Sequence, residues 1–231
     1  MAEKETVKNL FDDIAPRYDL LNHLLSLNID KSWRRRAVRE LEAGQEELLD
    51  VACGTGDFAI AAVRTGVKRV TGIDISAGMV DIGKRKVEAL GLSGRIMLEI
   101  GDSEQMRFPD NAFDAVTVAF GVRNFEHLEQ GLREMCRVLR PGGKVVILEF
   151  SMPDRFPMKQ LYTLYFRRIL PLFGGWISGN RGAYVYLPES VMRFPQGKAF
   201  LDIMGRSGFV RTARRKLTGG IASLYTGEKP V

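Results

Sequence analysis

Leu48-Leu49-Asp50-Val51-Ala52-Cys53-Gly54-Thr55-Gly56-Asp57 is an apolar run that breaks into a glycine-rich turn and then opens a helical pattern over residues 57–65. In open α/β sheets such a turn follows the first strand, and ligands bind beyond the carboxyl ends of the strands. Working outward, further short apolar runs recur at Arg69–Ile75, Ile96–Ile100, Ala115–Phe120 and Lys144–Phe150. Helical patterns fill 77–90 and 126–139. The runs do not alternate strictly, as expected of parallel strands covered on both faces. The order predicts a doubly wound, mostly parallel α/β sheet. Phe209–Leu217 and Ala222–Thr226 read as an antiparallel hairpin at one edge, which brings the sheet to seven strands. Residues 5–43 read as three helices punctuated by Pro16 and by Asn28–Asp30. Residues 156–206 read as mostly helical and aromatic, with Phe156, Tyr162, Tyr165, Phe166, Phe173, Trp176, Tyr184, Tyr186, Phe194 and Phe200.

The expected organisation is one domain in four parts: a helical lid (1–45), a cofactor-binding core (46–150), a helical substrate-binding insertion (151–206) and C-terminal edge strands (207–231). Cys53 and Cys136 make no disulfide framework, and His23 and His127 stand alone, so no metal site is expected. The apolar stretch Ile169–Ile177 is broken by Pro171 and Gly174–Gly175, and a bilayer span needs about 20 apolar residues. The start of the chain is charged and has no apolar signal core. A cytoplasmic protein is the expectation. Thirty-four Lys and Arg against 28 Asp and Glu leave a net charge of +6. That excess suits nucleic acid, an anionic membrane surface or an anionic small molecule.

Asp74, at the end of the second run, offers a carboxylate that can accept both hydroxyls of a ribose. Gly54-x-Gly56-x-x-Ala59 satisfies the dinucleotide pattern, which is a weak signal alone. Carboxylates at Asp50 and Asp57 would repel a pyrophosphate but suit a ligand carrying a sulfonium and an ammonium. Gly101-Asp102-Ser103 after the third run can address an adenine edge. Phe113-Asp114 opens the fourth run, and Arg137-Val138-Leu139-Arg140-Pro141-Gly142-Gly143 turns a helix into the fifth. This ordered set, over about 48–150, resembles the class I S-adenosylmethionine-dependent methyltransferases.

The flanks narrow the resemblance. Tyr18-Asp19-Leu20-Leu21-Asn22-His23-Leu24-Leu25-Ser26 with Trp33 is similar to the entry signature of the quinone-biosynthesis C-methyltransferases, the demethylmenaquinone and ubiquinone-pathway enzymes. Arg137–Gly143 through Leu148-Glu149-Phe150-Ser151 resembles their second signature. Phe120-Gly121-Val122-Arg123-Asn124, Tyr186-Leu187-Pro188-Glu189-Ser190 with Phe194-Pro195, and Thr218-Gly219-Gly220 match as well. The resemblance implies S-adenosyl-L-methionine held by Tyr18, Asp50, Gly54, Thr55, Gly56, Asp74, Asp102, Ser103 and Ala119. It implies a prenylated quinol substrate, demethylmenaquinol or its ubiquinone-pathway counterpart. Two departures stand out. The family often has Gly and His at Asn28 and Asp30, so a base role for that His, were it the family's, would not carry over to Asp30, and some members have Ser at Ala119.

The ring carbon that takes the methyl needs a neighbouring hydroxyl deprotonated, an oriented ring and a dry pocket. Arg123, effectively always protonated, is assigned to stabilising the phenolate, Asn124 to orienting the hydroxyl and Tyr186 to a ring hydroxyl contact; Arg123 could instead pair with Asp102 or Glu126. The basic clusters Lys31, Arg34, Arg35, Arg36, Arg39 and Arg206, Arg211, Arg214, Arg215, Lys216 raise peripheral attachment to the anionic inner face of a membrane. For the second cluster, protection of an edge strand is the alternative. Competing functions are methylation of another small molecule such as a sterol or polyketide, RNA methylation, and a non-catalytic nucleoside-binding regulator. No RNA-binding module or base-extrusion motif accompanies the RNA reading, so no nucleic-acid partner is expected. Oligomeric state is not legible.

Overall fold

The structure is a computed structural model. It describes residues 3–26, 28–41, 44–164 and 181–231, without the side chains of 21, 23–25 and 181–185. The apolar stretch Ile169–Ile177 and the aromatics Tyr165, Phe166, Phe173 and Trp176 lie outside the described residues, as do the side chains of His23 and Tyr184.

Helices α1 (Lys4–Ile14), α2 (Tyr18–Leu25) and α3 (Ile29–Val38) come first, with a 3-10 turn at Ala15–Arg17 around Pro16. Then β1 (Glu47–Val51), α4 (Asp57–Arg64), β2 (Arg69–Asp74), α5 (Ala77–Ala89), β3 (Ile96–Ile100), β4 (Phe113–Ala119), α6 (Leu128–Val138) and β5 (Leu139–Phe150) build the alternating core. Helices α7 (Met158–Leu164), α8 (Arg181–Arg193) and α9 (Lys198–Arg206) precede β6 (Val210–Leu217) and β7 (Ala222–Glu228).

The strands form one seven-stranded sheet in the order β3-β2-β1-β4-β5-β7-β6. Five are parallel, and β7 pairs antiparallel with both β5 and β6. Strand order reverses between β1 and β4, which is where a cleft must open in this topology. Alternate residues of β1 face opposite layers. Leu48 joins Trp33, Phe58, Val63, Val80 and Val87 on one side. Leu49 and Val51 join Leu132, Met135, Phe200 and Met204 on the other. Burial on both faces explains why the strands lack polar alternation.

The fifth strand starts earlier than its apolar run. Leu139 already pairs with Phe113, and the ladder resumes at Lys144 opposite Ala115. Arg140–Gly143 sits in the register shift between them. A Cβ on Gly143 would lie 2.8 Å from the Arg140 carbonyl oxygen, so the irregularity depends on glycine there. Among the aromatics after residue 150, Phe200 packs between Phe194 and Tyr225 of β7, with ring centroids 4.9 and 4.8 Å away. Phe156 is exposed.

The carboxyl ends of β1 and β4 approach so closely that a Cβ on Gly121 would sit 2.6 Å from the Cβ of Ala52 and 3.0 Å from Val118. Neither neighbour is a flexible chain end. Gly121→Ala is therefore expected to cost about 1–3 kcal/mol by overpacking, read as a lower denaturant midpoint at unchanged slope.

Candidate active site

The ends of β1, β2, β3 and β4 floor a cleft that the N-terminal helices roof. After β1 the chain adopts left-handed backbone at Ala52 (φ 51°), Gly54 (φ 54°) and Gly56 (φ 81°). Glycine takes this conformation freely; Ala52 pays strain for it, a feature that clusters at ligand sites. Gly56 N–H closes onto the Cys53 carbonyl at 2.9 Å and caps α4.

The expected cofactor residues line two connected hollows. The larger is walled by Tyr18, Gly54, Asp74, Asp102, Ser103 and Ala119, with Lys4, Val7 and Phe11 of α1 closing over it. The smaller holds Tyr18, Arg34, Asp50, Gly54, Thr55, Asp57 and Ala119. Gly54, which lines both, leaves the room that a Cβ would take beneath Tyr18, 3.7 Å from its ring. Gly56 shapes the turn without lining either.

Asp50 is buried, and Thr117 Oγ1 donates to its Oδ1 at 2.9 Å. Its Oδ2 is buried with no hydrogen-bond partner. Burial pushes the Asp50 carboxyl up to about 7, with the Thr117 bond opposing. Asp74 accepts Gly54 N–H at 2.8 Å and Ser76 N–H at 2.9 Å, and burial raises its carboxyl as well. Asp102 Oδ1 accepts Glu104 N–H at 2.8 Å, while its Oδ2 takes Lys4 Nζ at 2.7 Å. Ser103 and Ala119 are half-buried beside it, and Ala119 brings no hydroxyl.

Tyr18 stands over the turn, its hydroxyl bonded to Asn22 and raised in pKa by burial. Thr55 Oγ1 donates to Asp19 Oδ1 at 2.6 Å, which ties the turn to α2. Lys86 of α5 joins the same cluster, donating to Asp19 at 2.6 Å and to Asp57. Asp57 also faces Arg34 Nη1 at 3.5 Å. Asp57 is thus matched by the protein's own cations rather than left for a ligand's. Asp12 of α1 accepts Ser76 Oγ at 2.6 Å and Gly78 N–H at 3.0 Å, fixing α1 to the start of α5.

The three residues assigned to catalysis lie just past β4. Tyr186 of α8 donates to Asn124 Oδ1 at 2.9 Å, and Asn124 lines the larger hollow. Arg123 lies behind that wall, 7% exposed, and pairs with the fully buried Glu149 at 2.8 Å rather than with Asp102 or Glu126. Its Nη1 also donates to the Phe120 carbonyl, and its Nε is buried without a partner. Burial raises the Glu149 carboxyl, with the Arg123 charge opposing. Burial also raises the Tyr186 hydroxyl. The separated sequence signatures converge here. Trp33 packs on Phe120 and Phe150, both 6.1 Å between centroids, and its Nε1 donates to Thr218 Oγ1 at 2.8 Å.

Sequence reasoning missed Lys4, Lys86, Arg34 and Glu149. Arg34 had a local signal. The buried residues of α3 are Asp30, Trp33, Arg34, Ala37 and Val38, one helical face, which separates Arg34 from the exposed basic stripe. Among the described residues no three His, Cys, Asp or Glu side chains gather as a metal site, and no helix is long and apolar enough to cross a membrane.

The model of the ubiE/COQ5 methyltransferase family matches residues 1–229. Demethylmenaquinone methyltransferase of Bacteroides fragilis is 48% identical over 229 residues, 98% of this chain and 94% of that one. Ubiquinone/menaquinone biosynthesis C-methyltransferase UbiE of Geobacter sulfurreducens is 50% identical over 230 residues, 97% and 89% of the two chains. Among solved structures, phosphoethanolamine N-methyltransferase 2 of Haemonchus contortus in complex with S-adenosyl-L-methionine shares the fold. Its TM-score is 0.63 at 15% identity, over 86% of this chain and 52% of that one.

Asp50 has a folded-state value above its unfolded one, so the folded state binds the extra proton between them. Stability is full below the unfolded value and falls as pH rises towards about 7. In ligand-free protein, Asp50→Asn is expected to gain stability relative to wild type as pH rises from about 4 to 7, with the difference flat outside that window. Thermal melts of both proteins across pH check it.

Proposed function

The chain belongs to the ubiE/COQ5 methyltransferase family, and on that premise we propose that it transfers a methyl group from S-adenosylmethionine to a ring carbon of demethylmenaquinol, a prenylated naphthoquinol. The relatives' names support the substrate. The geometric observation that carries the reading is Asn124, held by Tyr186, on the wall of a cleft whose other end leaves an acceptor oxygen of Asp50 unpaired. That unpaired oxygen and the space above Gly54 fit the cofactor.

Asp74 would accept the ribose hydroxyls, Asp102 and Ser103 would face the adenine edge, and Asp50 would take the ammonium. Gly54, Thr55 and Gly56 let the backbone come close, while Tyr18 and α1 exclude water. When bound, S-adenosylmethionine supplies a methyl carbon on a sulfonium that leaves as a neutral thioether. Asn124 and Tyr186 orient the ring hydroxyl. From behind the cleft wall, the Arg123 charge stabilises the negative charge that develops as this hydroxyl loses its proton. Glu149 holds the guanidinium in place. The ring carbon would bond the methyl as the methyl–sulfur bond breaks, and its own proton would pass to solvent, restoring aromaticity.

A prenylated substrate supports work at a membrane surface. Lys31, Arg35 and Arg36 of α3 and Arg39 at its C-cap are exposed and carry no ion pair among the described residues. Arg206, Arg211, Arg215 and Lys216 are paired with Glu129, Glu228, Glu40 and Asp154. We place peripheral attachment on the α3 stripe alone.

Purified protein with labelled S-adenosylmethionine should methylate reduced demethylmenaquinol; transfer to bulk RNA alone, or to a demethoxy-type benzoquinol alone, would replace this reading. Removing Arg123 strands a buried carboxylate, so the informative variant is Arg123→Met with Glu149→Gln. It should lose about 100-fold or more in kcat while binding S-adenosylhomocysteine as wild type does. Binding to vesicles rich in anionic lipid should fall with salt and collapse on reversing the charge of Lys31, Arg35 and Arg39. Reversing Arg211 and Lys216 should leave it unchanged.

A further inference from the structure

We propose that Arg34 receives the carboxylate of the methyl donor's amino-acid end, and that Asp30 is the positioning residue that holds Arg34 for it. The proposal rests on the reading that the cleft takes S-adenosylmethionine.

Arg34 is the one guanidinium in the smaller hollow, and the residue is only 7% exposed. Among the described residues its engagements run through a single nitrogen. Nη1 pairs with Asp30 Oδ2 and faces Asp57 Oδ2 at 3.5 Å. A guanidinium carries five N–H donors, so Nε and Nη2 keep donors for a further acceptor. The Phe120 ring supports the group from below, with Cζ 5.8 Å from the ring centroid. In the same hollow Asp50 Oδ2 is a buried acceptor without a donor. A fixed cation with spare donors beside a carboxylate with a spare acceptor is complementary to a zwitterion. The ammonium of an α-amino acid suits Asp50, and its carboxylate suits the planar fork of Arg34. Adenosine alone offers neither charge, so the pair discriminates for the amino-acid end.

Asp30 explains how the fork is held. It sits four residues before Arg34, on the buried face of α3 and in its first turn, where a carboxylate is favoured. It is 2% exposed, and Ser26 Oγ donates to its Oδ1 at 2.6 Å while Arg34 takes Oδ2. Both oxygens are engaged within the protein. At the position where the family often has histidine, this chain therefore carries an anchor for Arg34 and not a base.

The test is equilibrium binding by calorimetry of S-adenosylhomocysteine and of 5′-methylthioadenosine, which lacks the amino-acid end. It compares wild type, Arg34→Met, Arg34→Lys and Asp30→Asn. Arg34→Met should weaken S-adenosylhomocysteine about 10- to 100-fold and change methylthioadenosine less than about 3-fold. Arg34→Lys should recover part of the loss. Asp30→Asn should weaken S-adenosylhomocysteine by a smaller factor, with a raised KM for the donor and an unchanged kcat at saturation. Equal losses for both ligands in Arg34→Met would mean a purely structural role and overturn the proposal, as would unchanged binding of S-adenosylhomocysteine. A fall in kcat with unaltered binding in Asp30→Asn would overturn the anchor and restore the base. Failure of wild type to bind either ligand would instead remove the cofactor reading, and this proposal with it.

Discussion

Asp50 is held through one carboxylate oxygen by Thr117, while the other has no partner within hydrogen-bond distance, at the end of the central strand where the sheet order reverses. A buried acceptor left without a donor costs about 1–3 kcal/mol, more when charged. The seven-stranded core tolerates this because β1 is bracketed by β2 and β4 with full ladders on both sides. The strained left-handed Ala52 immediately after it is a second cost at the same place. Both would be offset by a cationic group entering the hollow, so this end of the cleft is where binding has most to return. Loss of Gly121's close contact with Ala52 would disturb this point first, because the two strand ends share one van der Waals surface.

The roof depends on that floor. Asp19 reaches Thr55, Lys86 bridges Asp19 and Asp57, and Asp12 caps the turn after Asp74. Together these contacts join the N-terminal helices α1 and α2 to the turns and helix starts at the carboxyl edge of the sheet and to Lys86 of α5. Short helices such as α2 are marginal alone and gain their order from such tertiary contacts. The same logic brings Trp33 against Phe120 and Phe150 and onto Thr218, so that the proposed donor and acceptor sides share one aromatic wall. Arg123 lies against the other side of Phe150, its Cζ 5.4 Å from the ring centroid.

What was legible in the sequence was local. The glycine turn, the strand runs and the carboxylates at Asp50 and Asp74 follow from neighbours within a few residues, where period and turn chemistry decide. The start of β5 was not, because Pro141 and two glycines read as a turn while the ladder with Phe113 forms across them by tertiary pairing. Glu149 was quoted only as part of a signature; its partnership with Arg123 spans 26 positions and depends on β4–β5 register. The charge on α3 was misread for a different reason. Its composition is basic, but Arg34 shares the face of Trp33 and Ala37, and helical period rather than charge count separates it from Lys31, Arg35, Arg36 and Arg39.

That separation changes what the net charge of +6 means. The cations Lys31, Arg35 and Arg36 of α3 are exposed, whereas Asp50 in the cleft is buried. At physiological salt, exposed charges are screened beyond about 8 Å, whereas buried ones are screened much less. A cationic ligand in the cleft therefore responds to Asp50, Asp74 and their neighbours, not to the basic exterior. An anionic lipid surface responds to the exterior and not to the acids beneath it. On the proposed reading the two partners carry opposite charge, and a single helix with one buried and one exposed face lets the protein attract both without either field cancelling the other.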